Sequence, residues 1–269
     1  MASHRLIFCI NPGRSGSRYL ATLIGSAQAV DSHHEAEPTM SGRYVAMVNA
    51  AGYETSRAVR RVKADAIAAR LACLPDGATY VETNHMFIKT FYDVVVERFE
   101  NVEVVVLQRE LARVLKSFME LRYFTSENPF WREWMTEPDA VTAAIRCVEP
   151  RDRLDPVDRA IAYLIDIEAR AARFAREHPR VRTHPVRCEH LNRLAGVEAL
   201  FQRLHLAPTD LTRETCGRRI NERLAIKARY GVSVDVAYCR DRIQHYLDRA
   251  HAQGIDIPGS LALEPAAES

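Results

Sequence analysis

Residues 8–24 read FCINPGRSGSRYLATLI. An apolar run stops at Asn11, and a turn punctuated by Gly13 and Gly16 carries Arg14. A second apolar set then begins at once, with Tyr19, Leu20, Leu23, Ile24 and Ala27 at helical spacing. The first run belongs to RLIFCIN (5–11), which is short and continuously apolar, as a strand covered on both faces must be. A strand, a glycine turn and a helix in that order aim successive backbone N–H groups at one point, and the helix N-terminus adds partial positive charge. Arg14 adds a cation with bidentate reach, and Ser15 and Ser17 add donors. The turn therefore reads as an anion cradle. The simpler alternative is a capped turn with Ser17 as N-cap, and the turn alone does not choose between them.

The same alternation runs through the chain. VEVVVLQ (102–108) is the strongest strand pattern, and AVDSHHE (29–35), ATYVETN (78–84) and VRTHPVR (181–187) read as further strands. Helices are expected over 56–73 (Val59, Val62, Ile67 and Leu71 inward), 87–99, 111–121, 156–177, 191–205, 217–229 and 235–253. Periodicity is lost between Arg122 and Arg153. Strands alternating with helices predict an α/β fold of three layers, a parallel sheet flanked by helices. With no internal repeat and no Pro- or Gly-rich linker, residues 1–258 are expected to form a single domain and 259–269 a flexible tail. In such sheets ligands bind beyond the carboxyl ends of the strands, so the informative residues follow each strand.

Composition narrows the function. Among 269 residues, 37 basic and 35 acidic side chains leave a net charge of +2. That balance disfavours a dedicated nucleic-acid binder, which would lean on a large positive field. The six cysteines are scattered and form no CxxC pair. No apolar run is long enough to span a membrane and no signal segment is evident, so a reduced, cytoplasmic protein is expected, with no membrane or nucleic-acid partner.

Three chemistries are disfavoured at the opening turn. The nucleotide-triphosphate loop GxxxxGK[ST] is missing, because two residues separate Gly13 from Gly16 and no Gly-Lys follows. The 102–108 strand ends in Gln108-Arg109, without the aspartate that helps such enzymes hold Mg²⁺. Cys9 and Arg14 have four residues between them where a cysteine phosphatase needs five, and the dinucleotide pattern GxGxxG does not occur.

A second cation follows the strongest strand. Arg109 ends it, and Ser117 lies eight residues on, at the margin of the apolar stripe Leu111, Val114 and Phe118. With Arg14, Ser15, Gly16 and Ser17 this pattern resembles the sulfotransferases that use 3′-phosphoadenosine-5′-phosphosulfate (PAPS), whose fold is related to that of the P-loop NTPases. In that superfamily the first element cradles the 5′-phosphosulfate, and an RxxxxxxxS element binds the 3′-phosphate. The segment beginning VRCEHLNRLAG (186–196) also looks like a strand-to-helix stretch of many members. The likeness covers about the first 120 residues well and 180–230 loosely. Arg18 and Tyr19 depart from it, replacing a threonine and its apolar neighbour. It implies PAPS as cosubstrate, adenosine 3′,5′-bisphosphate as product, and cofactor contacts from Gly13, Arg14, Ser15, Gly16, Ser17, Arg18, Arg109 and Ser117. A late basic segment closes over the nucleotide in the family, which makes Arg218 and Arg219 candidates.

Sulfuryl transfer to a hydroxyl or amine needs a base. Glu35, in DSHHEAEP (31–38), stands 21 residues after Arg14, similar to the catalytic glutamate of some members. His85 in ETNHMF resembles the catalytic histidine of others, and the adjacent His33 and His34 can titrate near neutrality. Glu35 ranks first and His85 second, with His34 and the charge-stabilising Arg14 completing the catalytic set. The HHEAE run lacks HxxxH or HExxH spacing, so no metal site is expected. RAVRRVK (57–63) reads as a solvated helix face. Phe130, Trp131 and Trp134 either line an acceptor pocket or pin a long loop to the core. The sequence thus points to PAPS-dependent sulfuryl transfer to a small-molecule acceptor. The alternatives are a kinase of related fold and a nucleotide-binding protein without turnover.

Overall fold

In the computed structural model, which describes residues 4–220 and 224–264, the strand Arg5–Ile10 (β1) is the middle of a five-stranded sheet. Its partners are Val30–His33 (β2), Thr79–Glu82 (β3), Val102–Gln108 (β4) and Arg182–Arg187 (β5), in the order β2-β3-β1-β4-β5, all parallel. Alternation along β1 sends Leu6, Phe8 and Ile10 to one apolar layer and Ile7 and Cys9 to the other. Both faces are covered, which is why β1 reads as an unbroken apolar run.

The smaller layer packs Ser17–Ile24 (α1) and Leu194–Arg203 (α6) on the Ile7 side. The larger layer holds Arg43–Leu71 (α2), Tyr92–Arg98 (α3), Leu111–Glu120 (α4), Pro156–Glu177 (α5) and Val236–Ala252 (α9). A π-helical turn, Phe87–Phe91, leads into α3, and Phe87 stacks on Phe8 with ring centroids 4.9 Å apart. Two short helices, Asp210–Thr215 (α7) and Leu224–Tyr230 (α8), precede α9. No helix among the described residues is long and apolar enough to cross a membrane.

Three expectations change. The helix expected over 56–73 begins at Arg43 and kinks at Gly52 (φ 80°), and its buried face is not the one the valines suggest. Val59 and Val62 are 44% and 42% exposed, whereas Arg60 and Lys63 are fully buried. Arg60 is held by Asp93 and by the carbonyls of Tyr53 and Thr90, and Lys63 Nζ donates to Glu82 Oε1 at 2.7 Å and Ala36 O at 2.8 Å. RAVRRVK is therefore a solvated face only in part, with Arg61 exposed and Arg60 and Lys63 turned inward. Acids on α3 and β3 decide which side of α2 turns inward. Of the helix expected over 217–229, residues 217–220 are not helical, Leu224–Tyr230 are, and residues 221–223 lie outside the described set. Residues 260–264, read as the start of a free tail, lie across the ends of β4 and β5. There Gln108 donates to Ser260 O at 2.7 Å, Leu111 N to Ala262 O at 2.8 Å and Arg187 to Glu264 O at 2.7 Å. Residues 265–269 fall outside the described residues.

Candidate active site

Sheet register gathers the site. Ile10 pairs with Val106, so Gly13 and Arg109, three residues past each, leave the sheet at one level. Phe8 and His33 both lie opposite Glu82, which sets His34 and Glu35 beside the exit of β3 and the turn carrying His85. Arg14, His34, Glu35, His85 and Arg109 thus each lie within a few residues of a strand's carboxyl end.

The turn between β1 and α1 is built on Asn11. Its Oδ1 accepts from Gly13 N at 2.9 Å and from Ser15 Oγ at 3.3 Å, so the buried Ser15 hydroxyl braces the loop and does not reach the cleft. Gly13 and Gly16 take φ of 83° and 97°, and Arg14 takes 57°. A β-carbon on Gly16 would sit 2.6 Å from Cys188 Sγ, so only glycine fits there. Gly16, not Ser17, holds the N-cap position, and no side chain caps α1. The first amides of α1 are therefore left for an anion. Arg14 Nε donates to Ser117 Oγ at 3.2 Å, and Arg109 Nη1 donates to Arg14 O at 2.9 Å. The two cationic elements touch.

Gly13, Arg14, Gly16, Ser17, Arg18, Arg109, Ser117, Arg218 and Arg219 line one cleft of about 1090 Å³, together with His34, Glu35 and His85. That is room for a nucleotide and an acceptor together. Its described lining carries seven arginines and two lysines against four glutamates. The near-neutral chain concentrates positive charge here.

On the side of the cleft beside Gly13, Glu35 Oε1 stands 3.5 Å from His85 Nε2 and 3.6 Å from His34 Nε2. Glu35 itself has φ 54°, a left-handed conformation uncommon for a non-glycine. His34 Nδ1 lies 2.9 Å from Thr83 O, which can only accept, so Nδ1 carries the proton and Nε2 is bare in the neutral ring. Burial pulls the His34 imidazole below its ordinary value, against the opposing effect of Glu35, and the neutral form is favoured. His85 is buried, stacks on Trp134 with centroids 5.5 Å apart, and meets Lys89 Nζ at 2.6 Å through Nδ1. Among the described residues no cluster of His, Cys, Asp and Glu is arranged to hold a metal.

The fold of this five-stranded parallel sheet and its helices is found in solved structures. The sulfotransferase domain from the curacin biosynthetic pathway superposes with a TM-score of 0.51 at 13% identity, over 95% of this chain and 99% of that one. The sulfotransferase domain of the Synechococcus PCC 7002 olefin synthase gives 0.50 at 12% identity, over 96% and 98%. The fold is that of the sulfotransferases. No protein-family model matches the chain, and no curated protein matches it in sequence.

On the sulfotransferase fold the remaining candidates separate. His33 turns away from the cleft and pairs with Asp31 at 2.8 Å. Trp131 is buried against Phe124, with centroids 4.7 Å apart, and anchors the loop. Phe130 and Trp134 line the cleft, so the aromatic stretch divides between cleft wall and loop anchor. The cleft also uses residues that the sequence reading passed over. Tyr19 accepts from Gly217 N at 2.8 Å and donates to Leu191 O at 2.6 Å, tying α1 to the loops after β5 and α7. Arg113, Lys116 and Arg193 add charge. Lys89, behind His85 and outside the cleft lining, carried one signal, its place four residues after that histidine.

Proposed function

We propose that this chain transfers a sulfuryl group from PAPS to a hydroxyl or amine of a small-molecule acceptor. The observation that carries the reading is the single cleft that holds the glycine turn, the Arg109–Ser117 element and the Glu35–His85 pair. The uncapped amides of α1 and the Arg14 guanidinium suit the 5′-phosphosulfate, and Arg109 with Ser117 suits the 3′-phosphate. Arg14, in contact with Ser117, stands between the two anion subsites.

In this reading the acceptor oxygen or nitrogen attacks sulfur while the sulfur–oxygen bond to the 5′-phosphate breaks, and the bonding pair goes to the phosphate oxygen. Arg14 and the loop amides stabilise that developing charge. Glu35 Oε1 takes the acceptor's proton. Built-in cations do here what Mg²⁺ does in related phosphoryl transfer. Phe130 and Trp134, beside His85, fit an acceptor with an apolar body.

Thermal-shift titration tests the assignment. Adenosine 3′,5′-bisphosphate should raise the melting temperature without Mg²⁺, and Arg109→Ala should weaken its binding by about 1.5–3 kcal/mol, the loss of a charge-assisted contact. A requirement for Mg·ATP would replace sulfuryl with phosphoryl transfer. Unchanged affinity in Arg109→Ala would remove the 3′-phosphate assignment. Incubation with PAPS and an acceptor panel, followed as release of the bisphosphate, then tests turnover.

A further inference from the structure

Lys89 has no solvent exposure and stands behind His85, away from the cleft. Its Nζ meets three groups: Trp134 O, Tyr163 OH at 3.1 Å and His85 Nδ1 at 2.6 Å. The Trp134 carbonyl can only accept. The Tyr163 hydroxyl spends its proton on Pro12 O at 2.7 Å and so accepts from Lys89 as well. Two N–H groups are thereby committed, and the third position of Nζ faces the imidazole.

Counting protons at that contact fixes the ring. If the Lys89–His85 pair holds one net positive charge, either the ammonium donates to a bare Nδ1 or the amine accepts from an imidazolium. In both arrangements Nε2 keeps its hydrogen. Only the uncharged pair strips it, because Nδ1–H then points at the amine lone pair. Burial depresses the lysine strongly, and the Glu35 carboxylate opposes that depression. Glu35 lies 3.5 Å from the same Nε2 and favours the charged pair. The other charged or titratable groups around the pair include, among the described residues, His34 after β2, Arg18 on α1, which acts on His34, and Tyr163 and Arg170 on α5, the arginine opposing charge on Lys89.

We propose that Lys89 is a positioning residue that keeps the proton on His85 Nε2, making His85 a donor toward Glu35 and not a base. The inference rests on the reading of this cleft as a sulfuryl-transfer site, and it assigns the base work to the carboxylate. The same ammonium, through Tyr163, ties the base pair to Pro12 at the start of the anion loop, and through Trp134 to the aromatic wall.

The tautomer is measurable without any reaction. In a sample labelled with ¹⁵N-histidine, with the His85 signals identified by their loss in His85→Gln, the wild type should carry its proton on Nε2 with Nδ1 accepting. Lys89→Met, close in length and uncharged, should release the ring to a tautomer mixture. Turnover in Lys89→Met should fall roughly 10- to 100-fold at about pH 8, the scale on which losing a partner that orients a site histidine is felt, with adenosine 3′,5′-bisphosphate affinity retained. It should recover as the pH falls and protonation restores Nε2–H. A merely structural lysine would not produce recovery at low pH. The proposal is overturned by a wild-type spectrum with the proton on Nδ1 alone, or by a Lys89→Met variant whose tautomer and pH profile match the wild type. Should that variant fail to fold, the wild-type spectrum decides. If the spectrum agrees and no acceptor is sulfated, the positioning role stands and the sulfuryl-transfer reading falls.

Discussion

Arg14 and Glu35 share an uncommon backbone state, with φ of 57° and 54°. Each such residue costs on the order of 1–3 kcal/mol and persists only where its surroundings fix it. Here the surroundings are the Asn11 brace, the Arg109 bond to Arg14 O and the histidines around Glu35. The chain strains the two residues assigned to charge stabilisation and proton removal. Removing charge from Glu35 tests that division of labour. Glu35→Gln keeps the shape of the side chain but gives up the carboxylate, so kcat should fall by roughly 10²–10⁴, the usual contribution of a general base. Calorimetric affinity for adenosine 3′,5′-bisphosphate should stay near the wild-type value, because the carboxylate touches neither cationic element. Full activity in Glu35→Gln would hand the base role to a histidine.

At the scale of elements, what was legible in the sequence is what local periodicity controls. The strand–turn–helix of residues 5–24 and the strong β4 pattern fold as read, since both faces of the sheet are buried and only apolar residues satisfy them. Arg14, Arg109 and Ser117 share one cleft because each follows a strand of the same sheet. The inward face of α2 was not legible. Val59 and Val62 match a helical stripe as well as Arg60 and Lys63 do, and the choice is made by Asp93 and Glu82, distant in sequence. Long cationic side chains also bury apolar stems, which hydropathy patterns do not register. The inward turn of the Ser15 hydroxyl was not legible for a similar reason, since its partner Asn11 reads only as the end of a strand. The α2–β3 contact can be tested. Burial pulls Lys63 below its ordinary value despite Glu82, and Glu82 also accepts from Tyr80 at 2.8 Å and Asn84 at 3.0 Å. Lys63→Met would leave that carboxylate buried without its cation, at a cost of about 3–5 kcal/mol. Chemical denaturation should show this loss, and Lys63→Met/Glu82→Gln should regain much of it. An equal loss in both variants would mean that packing, not charge, holds α2 to the sheet.

Across the whole molecule, the carboxyl edge of the sheet is closed from two sides. The cleft occupies the β1–β4 side, while residues 260–264 cover the ends of β4 and β5. Gln108 joins the second closure to the core, its amide donating both to Ser260 O and, at 2.8 Å, to Glu168 on α5. Glu168 is buried, and desolvation raises its carboxyl to about 7, only partly offset by the Gln108 bond. The sign follows from proton binding. Between the unfolded carboxylate value of about 4.3 and the folded value, the native state holds more protons, so stability from this group is full at the acid end and is lost as the pH rises through about 7. Glu168→Gln can still accept from Gln108 but has nothing to ionise. It should therefore raise stability at about pH 8 by roughly 1–3 kcal/mol while changing little near pH 4, and flatten the decline between them. Denaturation midpoints of both proteins across that range check the sign. A variant equally destabilised at every pH would show that Glu168 acts through its shape, and that the strap over β4 and β5 is held by hydrogen bonds insensitive to this carboxyl.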